Sequence, residues 1–320
     1  MKSLQGAGRM GLGLAALGRP AYVTGGRASD LGVDRTVESM RARTHAMLDL
    51  AVAHGVHYVD AARSYGLAEE FLSTWLAGRS SRDDVVVASK WGYSYVGAWR
   101  ADAKVHEVKD HSLASFVRQS AESTDLLGDH LSLYSIHSVT PQSPAHADRA
   151  LLERLAHWSR EHGIRLGLST SGPQQGEVVR AALRVQVDGR QLFSAVQATW
   201  NVLEPSAGPA LQQAYDAGWL VVVKEGMANG RLAGDEAPAL WRAAAEDADT
   251  TPDALSLAVV LAQPWSPLVL SGAVTAVQLL SNLAARDVPA QTGLAAANTL
   301  ARLLETPETY WRRRSERPWA

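Results

Sequence analysis

Four side chains in the first half of the chain can together move a proton: Asp60, Tyr65, Lys90 and His137. Three of them end short apolar runs, Val56–Asp60, Val85–Lys90 and Leu131–His137, and Tyr65 follows closely on Asp60. A phenol with a pKa of about 10 is a poor acid at neutral pH. A neighbouring ammonium stabilises the phenolate and lowers that value. Asp60 would hold Lys90 in place and keep it charged, while His137 can hydrogen-bond a substrate oxygen and share in the proton transfer. The set suits proton donation to a carbonyl oxygen while something else attacks the carbon. The nucleophile it offers is Lys90, as a Schiff-base amine, and pairing with Asp60 argues against that use.

These residues meet only if the runs they end lie side by side. Further runs occur at Ile164–Ser169, Phe193–Gln197, Leu220–Lys224 and Leu268–Ser271, with a first strand near Met10–Ala15. Helical spacing follows most of them, and that alternation implies βαβ units and a parallel sheet. Thr44–His54 carries Met47, Leu48 and Ala51 on one stripe before Gly55; Ala147–His162 carries Leu151, Leu152, Leu155 and Trp158 before Gly163. Pro173 opens a helix running to about Val187, and Pro252 opens Asp253–Ala262. Eight strands and about eight helices predict an α/β fold, one closed (β/α)8 barrel over 1–320, with an open doubly wound sheet as the competing architecture. In a barrel the carboxyl ends of the strands form the catalytic face. Asp60, Lys90, His137, Ser169, Gln197, Lys224 and Ser271 would then share one rim.

Composition excludes several other functions. The 320 residues carry 31 Lys+Arg and 33 Asp+Glu, a formal net charge of −2, so the protein is not built to coat nucleic acid or anionic membrane. The chain has no cysteine, which removes disulfides, thiolate metal sites and a Cys nucleophile. The ten histidines form no HExxH pattern, and no metal is expected. Gly11-Leu-Gly13-Leu-Ala-Ala16 matches a loose dinucleotide fingerprint, but no strand-length run precedes it and Pro20 cuts off a helix after it. It reads as a Gly-rich first strand or turn. Lys2 and Arg9 precede an apolar stretch, Met10–Gly18, that glycines interrupt, so a signal peptide is not expected. Gln263, Pro264, Ser266 and Pro267 break the apolar region Ala254–Val277; no membrane span is expected and the cytoplasm is the expected location.

At these residues the chain resembles the aldo-keto reductase family, from about Met10 to Trp319. The matching stretches are Val59-Asp60-Ala-Ala-Arg-Ser-Tyr65-Gly66, Ala88-Ser-Lys90-Trp91-Gly92 and Leu133-Tyr-Ser-Ile-His137. The resemblance implies a barrel that binds NADP(H), or less often NAD(H), and transfers hydride between the nicotinamide and a carbonyl or alcohol carbon. It makes Tyr65 the general acid, Lys90 the group that tunes it, Asp60 the partner of Lys90, and His137 the residue that orients the carbonyl. Ser169, Thr170 and Gln197 fall on the nicotinamide amide contacts, with Thr170 in place of the family's Asn. The run holding Lys224, Gly226, Asn229 and Gly230 replaces an aromatic-Ser-Pro-Leu segment, so Lys224 stands where an aromatic ring stacks on the nicotinamide.

Gly272, Thr275, Gln278 and Asn282 fall on the segment for the 2′-phosphate and adenine, without the usual base near Val274. Thr275 and the start of the following helix are left to bind phosphate, and NADP(H) is expected ahead of NAD(H). Ten tryptophans are many for this length. Trp91, Tyr93 and Trp200 are expected to line the substrate pocket, with the segment of about 286–320 packed over the barrel and contributing to it. Arg312, Arg313 and Arg314 are expected on a solvated helix face. The expected partner is a small-molecule carbonyl or alcohol, and nothing in the sequence sets the oligomeric state. Two alternatives stand: a cofactor-binding regulatory subunit of the same fold, and a lyase using Lys90.

Overall fold

A computed structural model describes residues 9–23, 30–79, 84–265, 268–299 and 302–319; Lys2, Ser266 and Pro267 lie outside them. Eight parallel strands close into a barrel. They are β1 (Met10–Gly13), β2 (Tyr58–Asp60), β3 (Val86–Trp91), β6 (Leu131–Val139), β7 (Arg165–Thr170), β10 (Ala195–Thr199), β11 (Leu220–Lys224) and β12 (Leu268–Ser271). Two small hairpins stand outside it, β4 (Tyr93–Tyr95) with β5 (Glu107–Lys109) and β8 (Gln186–Val187) with β9 (Arg190–Gln191). The order around the barrel is β1-β12-β11-β10-β7-β6-β3-β2. The closed barrel, and not the open sheet, is therefore the fold.

Side-chain alternation sorts each strand into an inner and an outer face. Tyr58, Ala88, Leu133, Ala195, Val222, Leu268 and Leu270 form one apolar cluster that plugs the barrel. The outward-facing strand residues join a larger core under the helices. Gly11 belongs to the plug: a Cβ there would lie 2.8 Å from the Tyr58 ring and 2.9 Å from Leu270. The Gly-rich start of the chain thus makes room for Tyr58.

The helix expected from Pro173 to about Val187 is shorter, Gln175–Ala182. Asp188 and Gly189 adopt positive φ of 52° and 70° and turn the β8–β9 hairpin. An Asp-Gly pair favours such a turn, and here it overrides continued helix. Near the end of the chain, the helices Ala290–Thr299 and Pro307–Ser315 follow the last strand. The second packs on the mouth, where its Tyr310 hydroxyl accepts a hydrogen bond from Asn201 Nδ2 at 3.0 Å.

Candidate active site

Two residues beyond the apolar plug, on the same strand faces, stand Asp60, Lys90, Ser135, Gln197 and Lys224, with His137 two further along β6. The alternation that fills the barrel with apolar groups therefore delivers polar ones to its mouth. Lys90 and Asp60 are both buried, and Lys90 Nζ donates to Asp60 Oδ2 at 2.5 Å. It also donates to the Ala61 carbonyl at 2.9 Å and to the Tyr65 hydroxyl at 3.3 Å. Gln197 Nε2 holds the other oxygen of Asp60 at 3.0 Å. The His137 ring lies edge-on to Tyr65, with centroids 5.5 Å apart. Asp60, Tyr65, Lys90 and His137 therefore meet at one mouth.

The Tyr65 phenol is pushed well above its ordinary value, first by burial and then by the Asp60 carboxylate. The Arg19 charge opposes that rise without cancelling it. Tyr65 is thereby kept protonated and ready to donate. Burial, followed by the charges of Lys90, Lys224 and Arg19, drives His137 well below its usual pKa, so its imidazole is neutral. Its Nδ1 sits 3.4 Å from Ser64 Oγ, and its backbone oxygen is 2.7 Å from His111 Nε2. The Lys90 ammonium gives its hydrogens to three acceptors.

A cavity of about 650 Å³ opens from this cluster. It is lined at one end by Asp60, Tyr65, Gln197 and Lys224, runs past Gly226, Asn229 and Gly230, and reaches Gly272, Gln278 and Asn282. Small-molecule and cofactor sites fall in the range of about 300–1,000 Å³, so an extended dinucleotide fits. Asn229 in its wall has a buried Oδ1 without a hydrogen-bond partner among the described residues.

Other expected residues are placed differently. Ser169 Oγ accepts from Ser138 N at 2.7 Å, which leaves its own hydrogen able to donate, and Thr170 Oγ1 donates to Gln175 at 3.0 Å. Thr275 caps the helix Ala276–Leu283 by accepting from Gln278 N. Trp91 is fully buried and packs on Phe116, with ring centroids 5.0 Å apart. It faces outward from β3, not into the pocket. Trp200 is buried against Trp265 and donates to the Pro205 carbonyl. Tyr93 alone of the three reaches the mouth, its ring 5.0 Å from His137. Arg314 leaves the expected solvated face and binds Glu225, while Arg312 and Arg313 are exposed.

Arg19 and Glu107 gave no sequence signal. Arg19 is buried, donates to Glu107 at 2.6 Å and places its guanidinium 5.0 Å from the Tyr65 ring centroid. Trp319 lies against the same guanidinium and stacks on His106 at 4.3 Å. Lys224 Nζ donates to Thr199 Oγ1 at 2.8 Å; burial, foremost, lowers its pKa to about 8. An arginine in a loop and a carboxylate 88 residues from it carry no periodicity that would mark them.

The fold and the mouth define a (β/α)8 barrel with a lysine–carboxylate pair beside a buried phenol and imidazole. Residues 9–293 match the aldo/keto reductase family, and the chain belongs to it. That family consists of oxidoreductases that generally use nicotinamide cofactors. The chain is 28% identical over 158 residues to Protein tas of Escherichia coli (strain K12), covering 41% of this chain and 44% of that protein. It is 34% identical over 100 residues to aldo-keto reductase str7 of Strobilurus tenacellus, covering 31% of this chain and 26% of that one. These matches span less than half the length of either relative.

Among solved structures, the holo form of an aldo-keto reductase from Bacillus halodurans superposes with a TM-score of 0.68 at 21% identity, covering 95% of each chain. A glycerol dehydrogenase from Gluconobacter oxydans gives a TM-score of 0.68 at 19% identity, covering 92% of this chain and 91% of that one. Both are likenesses of fold.

Proposed function

We propose that this protein reduces a carbonyl, or oxidises the corresponding alcohol, of a small molecule, using a nicotinamide dinucleotide and Tyr65 as proton donor or acceptor. The observation that carries this reading is the Lys90 ammonium held between Asp60 and the Tyr65 hydroxyl beside a neutral imidazole. A bound nicotinamide supplies or takes up the hydride. Tyr65, kept protonated by burial, donates to the carbonyl oxygen as negative charge develops there. Lys90, 3.3 Å from that hydroxyl, stabilises the phenolate left behind. Neutral His137 supplies a hydrogen bond to the same oxygen and orients it. Asp60 and Gln197 fix Lys90 in place, so the donor is preorganised. Gln197, Lys224, Gly226, Asn229, Gly230, Gly272, Gln278 and Asn282 line the cavity and would hold the cofactor.

No helix among the described residues is long and apolar enough to cross a membrane. The reading requires a compartment stocked with nicotinamide dinucleotides, and the cytoplasm meets that need. The sequence places NADP(H) ahead of NAD(H), and the charges along the cavity favour the reverse order.

The test is the loss of nicotinamide absorbance with a panel of aldehydes, comparing wild type and Tyr65→Phe with NADPH and with NADH. Wild type is expected to oxidise one cofactor in a substrate-dependent way, and Tyr65→Phe to be slower by roughly 10²–10⁴. Equal rates would overturn the role of Tyr65. Cofactor binding without turnover of any carbonyl would favour the regulatory subunit instead.

A further inference from the structure

We propose that the cavity selects NAD(H) over NADP(H), because its end remote from Tyr65 presents carboxylates where a 2′-phosphate would need bases. The inference rests on the dinucleotide reading above. Hydride and proton add to adjacent atoms of one carbonyl, so the nicotinamide must lie beside Tyr65. A dinucleotide extended along the cavity then places its adenosine ribose at the opposite end, near Gln278 and Asn282.

Two half-buried carboxylates, Asp30 and Asp253, line that end. Their hydrogen bonds come from amides. Gln278 Nε2 donates to Asp30 Oδ2 at 2.8 Å. Asn282, with its amide turned to satisfy both ends, donates to Asp253 Oδ2 at 2.9 Å and accepts from Ser271 Oγ at 2.8 Å. Asp235 adds a third, exposed carboxylate, and Glu236 is matched by Arg317 at 3.1 Å. Among the described residues lining the cavity, Lys224 is the one cationic side chain, and it stands at the catalytic end bonded to Thr199.

The chemistry of the two ligands differs at one group. A ribose 2′-hydroxyl donates a hydrogen bond, and carboxylates can accept it. A 2′-phosphate accepts only and carries nearly two negative charges at neutral pH. Dinucleotide sites in general divide the same way, with an acid on the 2′-hydroxyl or an arginine on the 2′-phosphate. The start of the helix Ala276–Leu283 offers a partial positive charge, and side chains of the protein cap part of it. Gln278 N donates to Thr275 Oγ1 at 3.2 Å, and Val274 N donates to Gln278 Oε1 at 3.0 Å. Those capped N–H groups are not available to a phosphate.

Fluorescence titration of the intact protein with NADH and with NADPH tests this directly. NADH is expected to bind tighter by about tenfold or more at low salt, since like charges brought together at a binding surface discriminate strongly. The gap should narrow when NaCl rises from about 0.05 M to about 0.5 M, because screening weakens the repulsion. Asp253→Asn and Asp30→Asn, singly and together, are expected to tighten NADPH and shrink the ratio. Equal or tighter binding of NADPH by wild type overturns the proposal, and that comparison does not depend on the variants folding. A ratio unchanged in folded variants overturns the role of these two carboxylates. Failure of both dinucleotides to bind overturns the proposed function itself along with the inference.

Discussion

The Arg314 guanidinium grips the Glu225 carboxylate through three hydrogen bonds of 2.8, 3.0 and 2.6 Å. The contact ties the end of β11 to the helix Pro307–Ser315, across 89 residues of chain. Arg314 lowers the pKa of Glu225 to about 2, although burial alone, the largest single influence, would raise it. Glu225 itself adopts a positive φ of 58°, so the pair holds a strained turn directly beside Lys224.

Breaking this pair should therefore loosen the mouth. Arg314→Ala is expected to destabilise the fold by about 2 kcal/mol or more, below the cost of a wholly buried pair because a quarter of the Arg314 side chain reaches solvent. Thermal and urea denaturation measure it. An unchanged melting temperature would show that the C-terminal helix is held by packing alone.

The buried pair of Asp60 and Lys90 carries two jobs at once. The sequence suggests that Asp60→Asn slows catalysis more than it weakens folding. With both side chains at most 4% exposed, the substitution leaves an unmatched ammonium in the barrel. The expected loss of stability is about 3–5 kcal/mol, alongside the loss of turnover. Chemical denaturation and steady-state kinetics on the same variant separate the two effects, and a stability loss under about 1 kcal/mol would contradict the burial argument.

Lys224 should titrate within the working range. Its pKa is lowered to about 8, chiefly by burial, so the wall of the cavity is charged below that pH and neutral above it. Dinucleotide affinity measured from pH 6.5 to 9.5 is expected to inflect near 8 in wild type and to lose that inflection in Lys224→Met. Arg314 contributes to the lowering, so in Arg314→Ala the inflection should move up. An inflection that persists in Lys224→Met would assign it to another group.

Acid should weaken the fold through the histidines around the mouth. Burial lowers His111 to about 4 and drives His137 well below its ordinary value. The unfolded chain binds their protons near pH 6.5 while the folded one does not. Stability present above about pH 6.5 is thus lost as pH falls toward 4, by about 3 kcal/mol from His111 alone. Urea midpoints at pH 7 and pH 5 check this, and His111→Asn should flatten the dependence.

The barrel and its catalytic rim were legible because both follow from local pattern. Continuous apolar runs mark strands buried on two faces, and residues of matching parity carry the polar ends to one mouth. Asp60, Lys90, Gln197 and Lys224 needed only that register to be placed together. The aromatic lining was less legible. Trp91 has the same composition of neighbours whether it faces the pocket or the helices, and only the parity of β3 turns it outward against Phe116.

What the sequence determined alone was the alternation of barrel strands and helices, the polar residues that end those strands, and the lack of thiol chemistry. Tertiary structure decided the charges. The direction of the Tyr65 shift, the union of Glu225 with Arg314, the placing of Arg19 over Tyr65 and the acidic far end of the cavity all join residues remote in the chain. Periodicity records which face a residue occupies relative to its near neighbours. Desolvation and Coulomb energy depend on what the finished fold brings within a few ångströms, and no local pattern encodes that.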